Sequence, residues 1–369
     1  MNRLHVSPLY RTGTGVVTAS LLGNFLLPAR LFAGGRRSCQ FMGRVGNVAK
    51  VIAALPLMFG GKFDKIFSGP IAPIEIQAPL VPPTRPGAAG AADTNQGPRS
   101  EMQLMSWNLL ATPYVRPRGS EDEEAGLARA REQISLVAES GADVVGLQEF
   151  WCLSQRYVAL WEAFASAHGY ILHVCPRVNG KADGCALLVR ASLCGDTPPE
   201  FGAFTFDDWG SRIVQVCRLP GVTVMNTHLT FPHESEHDAP MRYHQARKIA
   251  ELTREMTTPT LVFGDLNAPD ASDAALNVLT SLGGLAPLPP PPDGGSWVSH
   301  VAHTGALMPC DLVLTRGGCR VREWRLGGSH AELVSRRWLS DHRPLLATVE
   351  LGDGALSREQ EEEDAPGMH

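Results

Sequence analysis

The chain has 369 residues, of which 44% are hydrophobic and 19% charged, a composition that supports a folded core and excludes disorder along the whole length. Its formal net charge of -5 is unevenly spread: residues 1–100 hold 11 Lys or Arg against 3 Asp or Glu, and the remainder holds 22 against 35. A basic head thus precedes an acidic body, and an acidic body is poorly suited to gripping duplex DNA by charge.

Residues 1–80 are basic, acid-poor and hydroxyl-bearing, with Arg3, Arg11, Arg30, Arg36, Arg37, Arg44 and Lys50 around two apolar runs at 15–27 and 51–61. That is the composition of an organellar presequence, for chloroplast or mitochondrion; the alternative is a secretory signal ending near Ala33. Neither run approaches the ~20 apolar residues that span a bilayer, so no stable membrane span is expected. Residues 81–100 are crowded with Pro, Gly and Ala and read as a linker. The eight Cys show no C-x-x-C pair and no zinc-site spacing, and several lie in apolar runs, as buried thiols of a reducing compartment would.

From residue 101 onward the pattern changes to short apolar runs. Strands are predicted at 102–109, 143–149, 170–174, 185–190, 212–219, 222–229, 260–265, 310–315, 321–326 and 345–351. Between them, Leu127, Ala130, Ile134, Val137 and Ala138 form one helical stripe that Gly141 can cap, and Met241, His244, Ala246, Ile249 and Leu252 form another. The acidic run at 119–124 reads as a solvated loop. Many strands with few helices imply an α/β protein in four layers, with two mixed, mainly antiparallel sheets packed face to face and helices outside. This domain should cover residues 101–351, and residues 352–369 form an acidic tail too polar to bury. Nothing in the pattern asks for more than a monomer.

Polar groups stand where these strands end: Asn108, Glu149, Asn226 with His228, Asp265 with Asn267, Asp311, and Asp341 with His342. Asp265 and Asn267 lie two apart, so in an extended chain they face the same way; they either close a turn on their own backbone or aim at one ligand. So many costly polar groups at apolar strand ends are hard to explain by packing alone.

In order, the segments S-W-N, L-Q-E, N-T-H-L, G-D-L-N, D and S-D-H resemble the endonuclease/exonuclease/phosphatase superfamily over about residues 101–351. D-G-C-A at 183–186 and T-H-L followed by an R-x-x-Q helix are similar to its deadenylase, nocturnin and 2′,5′-phosphodiesterase branch, and residues 296–314 to related plant proteins. The resemblance implies a magnesium-dependent phosphodiesterase, with manganese as a substitute, acting on single-stranded RNA or a small nucleotide. Its alternatives are a neutral sphingomyelinase-like or inositol-phosphate phosphoesterase and, more distantly, a non-catalytic binding protein of the same fold.

The same resemblance implies roles. Glu149, Asn108 and Asp341 would hold the metal. Asp265 would handle the proton of the attacking water, Asn267 and His228 would stabilise phosphoryl oxygens, and His342, oriented by Asp311, would contact the phosphate. Asn226, Trp297 and His300 complete the set as substrate-binding residues. Trp297 can stack on a base or pack beneath its own loop.

Overall fold

The structure is a computed structural model that describes residues 101–233, 237–289, 297–335 and 339–352. The expected presequence and linker lie outside the described residues, as does the acidic tail from residue 353 on. Fourteen strands and five α-helices are present among the described residues.

One six-stranded sheet runs in the order β13 (Arg320–Leu326), β14 (Leu345–Glu350), β1 (Glu101–Asn108), β2 (Val144–Trp151), β4 (Asp183–Arg190) and β3 (Tyr170–Pro176). The other runs β5 (Glu200–Thr205), β6 (Ile213–Leu219), β7 (Val222–His228), β8 (Thr260–Asp265), β12 (Asp311–Arg316) and β9 (Ala286–Pro287). Only β1–β2 and β7–β8 pair in parallel; every other pairing within the two sheets is antiparallel. A small ribbon joins β10 (His300–Val301) to β11 (Leu307–Met308).

Alternation along the strands divides the apolar side chains between two layers, because successive residues face opposite ways. Leu104, Val144 and Leu187 point inward to meet Val224, Phe263 and Val313 of the opposite sheet. Met105, Val145 and Leu188 point outward, where α1 (Glu123–Ser140) and α2 (Gln155–Ala167) cover them with Leu127, Ala130, Val137, Trp161 and Phe164. On the second sheet, α3 (Asp238–Glu255) contributes Ala246, Ile249 and Leu252, and α4 (Ala274–Ser281) contributes Leu276 and Leu279. The fifth helix, α5 (His330–Val334), starts with a capping box between Ser329 and Glu332.

Local chemistry fixes the ends of α1. Gly141 ends it in the left-handed conformation with φ 63°, as expected from a C-terminal glycine. The acidic run is more than a solvated loop: Asp122 accepts from Ala125 N and caps the helix, Glu123 and Glu124 lie in its first turn, and Glu121 holds Arg129 at 2.6 Å. Helices α2, α4 and α5, the half-buried strand β5 and the two-residue strands β9, β10 and β11 escape the sequence pattern.

Candidate active site

Strand direction gathers the polar groups at one end of the sandwich. β1 and β2 run parallel, so Asn108 and Glu149 finish at the same edge. β14 runs antiparallel to β1, and the segment just before it, carrying Asp341 and His342, meets that edge too: Ser340 Oγ donates to Asn108 O at 2.6 Å and Trp107 Nε1 to His342 O at 3.0 Å. In the other sheet His228 pairs with Asp265 in parallel register and Asp265 with Asp311 in antiparallel register. Three functional groups therefore stand side by side on adjacent strands.

Backbone geometry aims two of the residues. Between Leu147 and Phe150 the β2–β4 register slips, so that Gln148 and Glu149 stand where β4 offers only Cys185, and Glu149 takes φ 47°. Such a bulge turns a side chain away from the sheet's alternation. Asn267 likewise has φ 51°. Left-handed backbone at two non-glycine residues is unfavourable, and it recurs where function demands it. Gly264, at φ 141°, lets β8 approach β7 so closely that a Cβ there would lie 1.9 Å from Thr227 O.

Asp265 is the centre of the cluster. Its Oδ2 accepts from Asn108 Nδ2 at 2.9 Å and lies 3.3 Å from His228 Nε2 and 3.5 Å from His342 Nε2. Its Oδ1 accepts the Asn267 backbone N–H at 3.1 Å. Burial pushes the Asp265 carboxyl upward, opposed by the charge of His342 and aided by that of Asp311. On the far side of His342, Nδ1 donates to Asp311 Oδ2 at 2.8 Å. Burial works to lower the His342 pKa, but the carboxylates of Asp311, Asp265 and Asp341 overcome it and raise it to about 10. At neutral pH His342 is thus an imidazolium between two carboxylates.

Against this ring stacks His300, centroids 4.0 Å apart and planes 11° apart, with its Nε2 3.8 Å from Asp341 Oδ2. His300, Asp341 and His342 can converge on a cation, as can Asp265, Asp311 and His342. His342 Nδ1 is hydrogen-bonded to Asp311 and its Nε2 faces Asp265 Oδ2 at 3.5 Å, so the oxygen donors fit a hard cation better. Glu149 supplies the second observation: its Oε2 is shielded from solvent and has no partner. Burial and the nearby charges of Asp341 and Asp183 raise its pKa to about 7 in the absence of a cation. Glu149 and Asp341 therefore fit a divalent ion. Asn108 stands beside them with Oδ1 accepting Leu110 N–H at 3.0 Å.

Not every expected residue joins the cluster. Asn226 is fully buried between the sheets, where Nδ2 reaches Leu147 O and Ala186 O, both at 3.1 Å, and Oδ1 accepts from Gln148 at 2.8 Å. Its hydrogen bonds tie the two sheets together. Trp297 is partly buried and packs on Trp324 with centroids 5.0 Å apart, its Nε1 shielded and unpartnered. Asn267 donates from Nδ2 to Leu229 O at 2.9 Å, and its buried Oδ1 is unpartnered.

Sequence reasoning missed a second polar group beside Glu149. Asp183, at the start of β4, accepts from Tyr114 Oη at 2.7 Å and from Arg177 Nη1 at 2.9 Å, and Arg212 lies 3.8 Å away. Arg212 Nη1 also donates to His228 Nδ1 at 2.7 Å. Burial, then Arg212, hold the His228 pKa well below its usual value, so the ring is neutral with its proton on Nε2, facing Asp265. Asp183 could have been found from its place at the start of a strand antiparallel to β2. Arg212 gave no signal beyond preceding an apolar run.

Among known proteins, an uncharacterized calcium-binding protein of Arabidopsis thaliana is 24% identical over 299 residues, 71% of this chain but only 58% of that relative's length. Among solved structures, ANGEL2, a 2′,3′-cyclic phosphatase, in complex with adenosine-2′,3′-vanadate, is similar at TM-score 0.53 and 16% identity, over 68% of this chain and 96% of the other. TDP2 of D. rerio complexed with single strand DNA product matches at TM-score 0.50 and 19% identity, over 68% and 100%. At these identities the structures speak for the fold. The model of the Endonuclease/Exonuclease/phosphatase family matches residues 105–342, from the strand that ends in Asn108 to His342 itself. With that match spanning the whole polar cluster, the chain belongs to the Endonuclease/Exonuclease/phosphatase family.

Proposed function

We propose that this hydrolase cleaves phosphodiester bonds in single-stranded RNA or a small nucleotide, with Mg²⁺, or Mn²⁺ in its place, as cofactor. The observation that carries the reading is the line His228–Asp265–His342–Asp311, with Glu149, whose buried Oε2 is unpartnered, close enough to feel the charge of His342. Asp265 accepts the proton of the attacking water, its basicity raised by burial. His342, kept cationic and oriented by Asp311, donates to the phosphoryl oxygens as negative charge grows there, and the Nε2–H of His228 serves a second oxygen. Asn267 retains one amide hydrogen beyond its bond to Leu229 O for the same purpose. A divalent cation held by Glu149 and Asp341, with Asn108 beside them, would supply charge neutralisation at the phosphate.

Nucleotides are the first substrates to try because two proteins of the same fold hold a nucleotide analogue or a single-stranded product. Among the described residues no helix is long and apolar enough to cross a membrane. The test follows a 5′-labelled single-stranded RNA ending in an adenosine run, with Mg²⁺, with Ca²⁺ and with chelator, using Glu149→Ala as control. Mg²⁺-dependent shortening that the control lacks supports the reading. RNA and mononucleotides left intact, with phosphocholine or inositol phosphate released from lipid substrates, would overturn it.

A further inference from the structure

Trp209 is 81% exposed, whereas Trp107 and Trp161 are fully buried. It stands at the tip of the β5–β6 loop, residues 206–212, and that loop is held firmly. Phe206 is buried as its anchor. Asp208 Oδ2 accepts from Gln245 Nε2 at 2.5 Å, Asn179 Nδ2 donates to Ser211 Oγ at 2.7 Å, and Phe206 O meets His244 Nε2 at 3.0 Å. Asp207 and Ser211 both sit at φ 53°, which L-residues adopt only where the surroundings over-determine it. At Gly210 a Cβ would come within 2.9 Å of Thr230 Oγ1, so the loop packs directly on the residues that follow His228. The tryptophan is therefore presented by a rigid loop, not left over on a mobile one.

The same loop enters the active site. Three residues beyond Trp209, at most about 10 Å along the backbone, Arg212 donates to His228, and Gly210 O accepts from Arg177, which also holds Asp183. Guanidinium groups thus lie on the inner side of the loop and an indole face on its outer side. The ring meets His237 edge to face at 5.8 Å, which steadies it. That arrangement matches a ligand with a phosphate at the cluster and a flat, neutral π-surface one unit away. Asp207 and Asp238, near Trp209 and His237, make the rim unsuited to an anionic lipid surface. We propose that Trp209 is a stacking platform for a nucleobase flanking the scissile phosphate, which makes it a specificity-determining residue; the inference rests on the nucleotide reading above.

The test uses the full chain with Mg²⁺ and two single-stranded RNAs, one normal and one abasic on both sides of the cleaved bond. For the normal RNA, Trp209→Ala should raise KM about 5- to 100-fold, with kcat changing far less, and Trp209→Phe should recover most of the loss. For the abasic RNA the wild type should already show the raised KM, and Trp209→Ala should add nothing to it. Equal effects on both RNAs, or none, would overturn the platform. Binding is read separately in the Asp265→Asn background, where RNA should quench tryptophan emission in a way that Trp209→Phe abolishes. Such quenching without cleavage by the native chain would keep the platform while removing the proposed reaction. Cleavage without dependence on Trp209 would do the reverse. A blue shift of Trp209 emission on sphingomyelin–phosphatidylcholine vesicles, with no response to RNA, would assign the ring to a lipid surface and overturn the base-stacking role.

Discussion

Arg212 Nη1 lies 2.7 Å from His228 Nδ1, and because a guanidinium can only donate, this contact decides the tautomer of the histidine. The proton sits on Nε2, 3.3 Å from Asp265 Oδ2. Arg212→Met should therefore lower kcat by roughly 10²-fold through misplacement of that proton, and Arg212→Lys should recover part of it. Nitrogen-15 NMR of the imidazole checks the cause: Nδ1 of His228 is bare in the native chain and becomes protonated in the Met variant. An unchanged Nδ1 signal beside reduced activity would mean that Arg212 acts elsewhere.

Asp311 holds His342 from the side away from the site, at 2.8 Å. Asp311→Asn keeps the shape but removes the charge that favours the imidazolium and its orientation. Steady-state kinetics should then give a kcat about 10²- to 10⁴-fold lower, with a smaller change in KM. A variant that loses substrate binding and keeps kcat would place Asp311 in recognition.

Asn226 bonds to Leu147, Ala186 and Gln148 between the two sheets, so its removal should affect stability before chemistry. Asn226→Ala removes its hydrogen bonds to the carbonyls of Leu147 and Ala186 and the one it accepts from Gln148, with a loss on the order of 2–4 kcal/mol. Urea unfolding measures this directly, and KM should stay near the native value in the folded fraction.

His173 gives a pH dependence away from the site. It is buried against Phe201, its Nδ1 accepts from Gln215 at 2.7 Å, and its Nε2 has no partner. Burial lowers its pKa to about 4 from the usual 6.5. A depressed folded-state pKa means that the neutral ring contributes its full stability above pH 6.5, and that the contribution is lost as pH falls through about 4. Relative to His173→Gln, the native chain should lose on the order of 3 kcal/mol over that window. Parallel stability curves of the two proteins would remove His173 as the cause.

Much of the fold was legible from apolar periodicity, because strands buried on both faces and helices with one covered stripe leave that imprint on composition. The inward Leu104 and the outward Met105 illustrate it: each finds a different layer, as alternation requires. What escaped had weak or unread patterns. β5 is a half-buried edge strand with Gly202 at its centre. Tyr157, Trp161 and Phe164 of α2 stand at helical spacing and pack on the first sheet, but that stripe went unread.

The stretch from Asp265 to Asn267 separates the two kinds of knowledge. Its spacing left a turn and a ligand site equally open; the turn is present, since Asp265 Oδ1 accepts the Asn267 backbone N–H, while Oδ2 faces Asn108, His228 and His342. The sequence by itself determined which residue types occupy the strand ends, because polar groups next to apolar runs stand out in composition without any knowledge of their partners. Tertiary structure alone decided which of them meet. Parallel pairing put His228 beside Asp265, a bulge turned Glu149 out of its strand, and the sandwich took Asn226 into its interior. Those outcomes depend on strand order and on contacts between residues far apart in the chain, for which no local pattern exists.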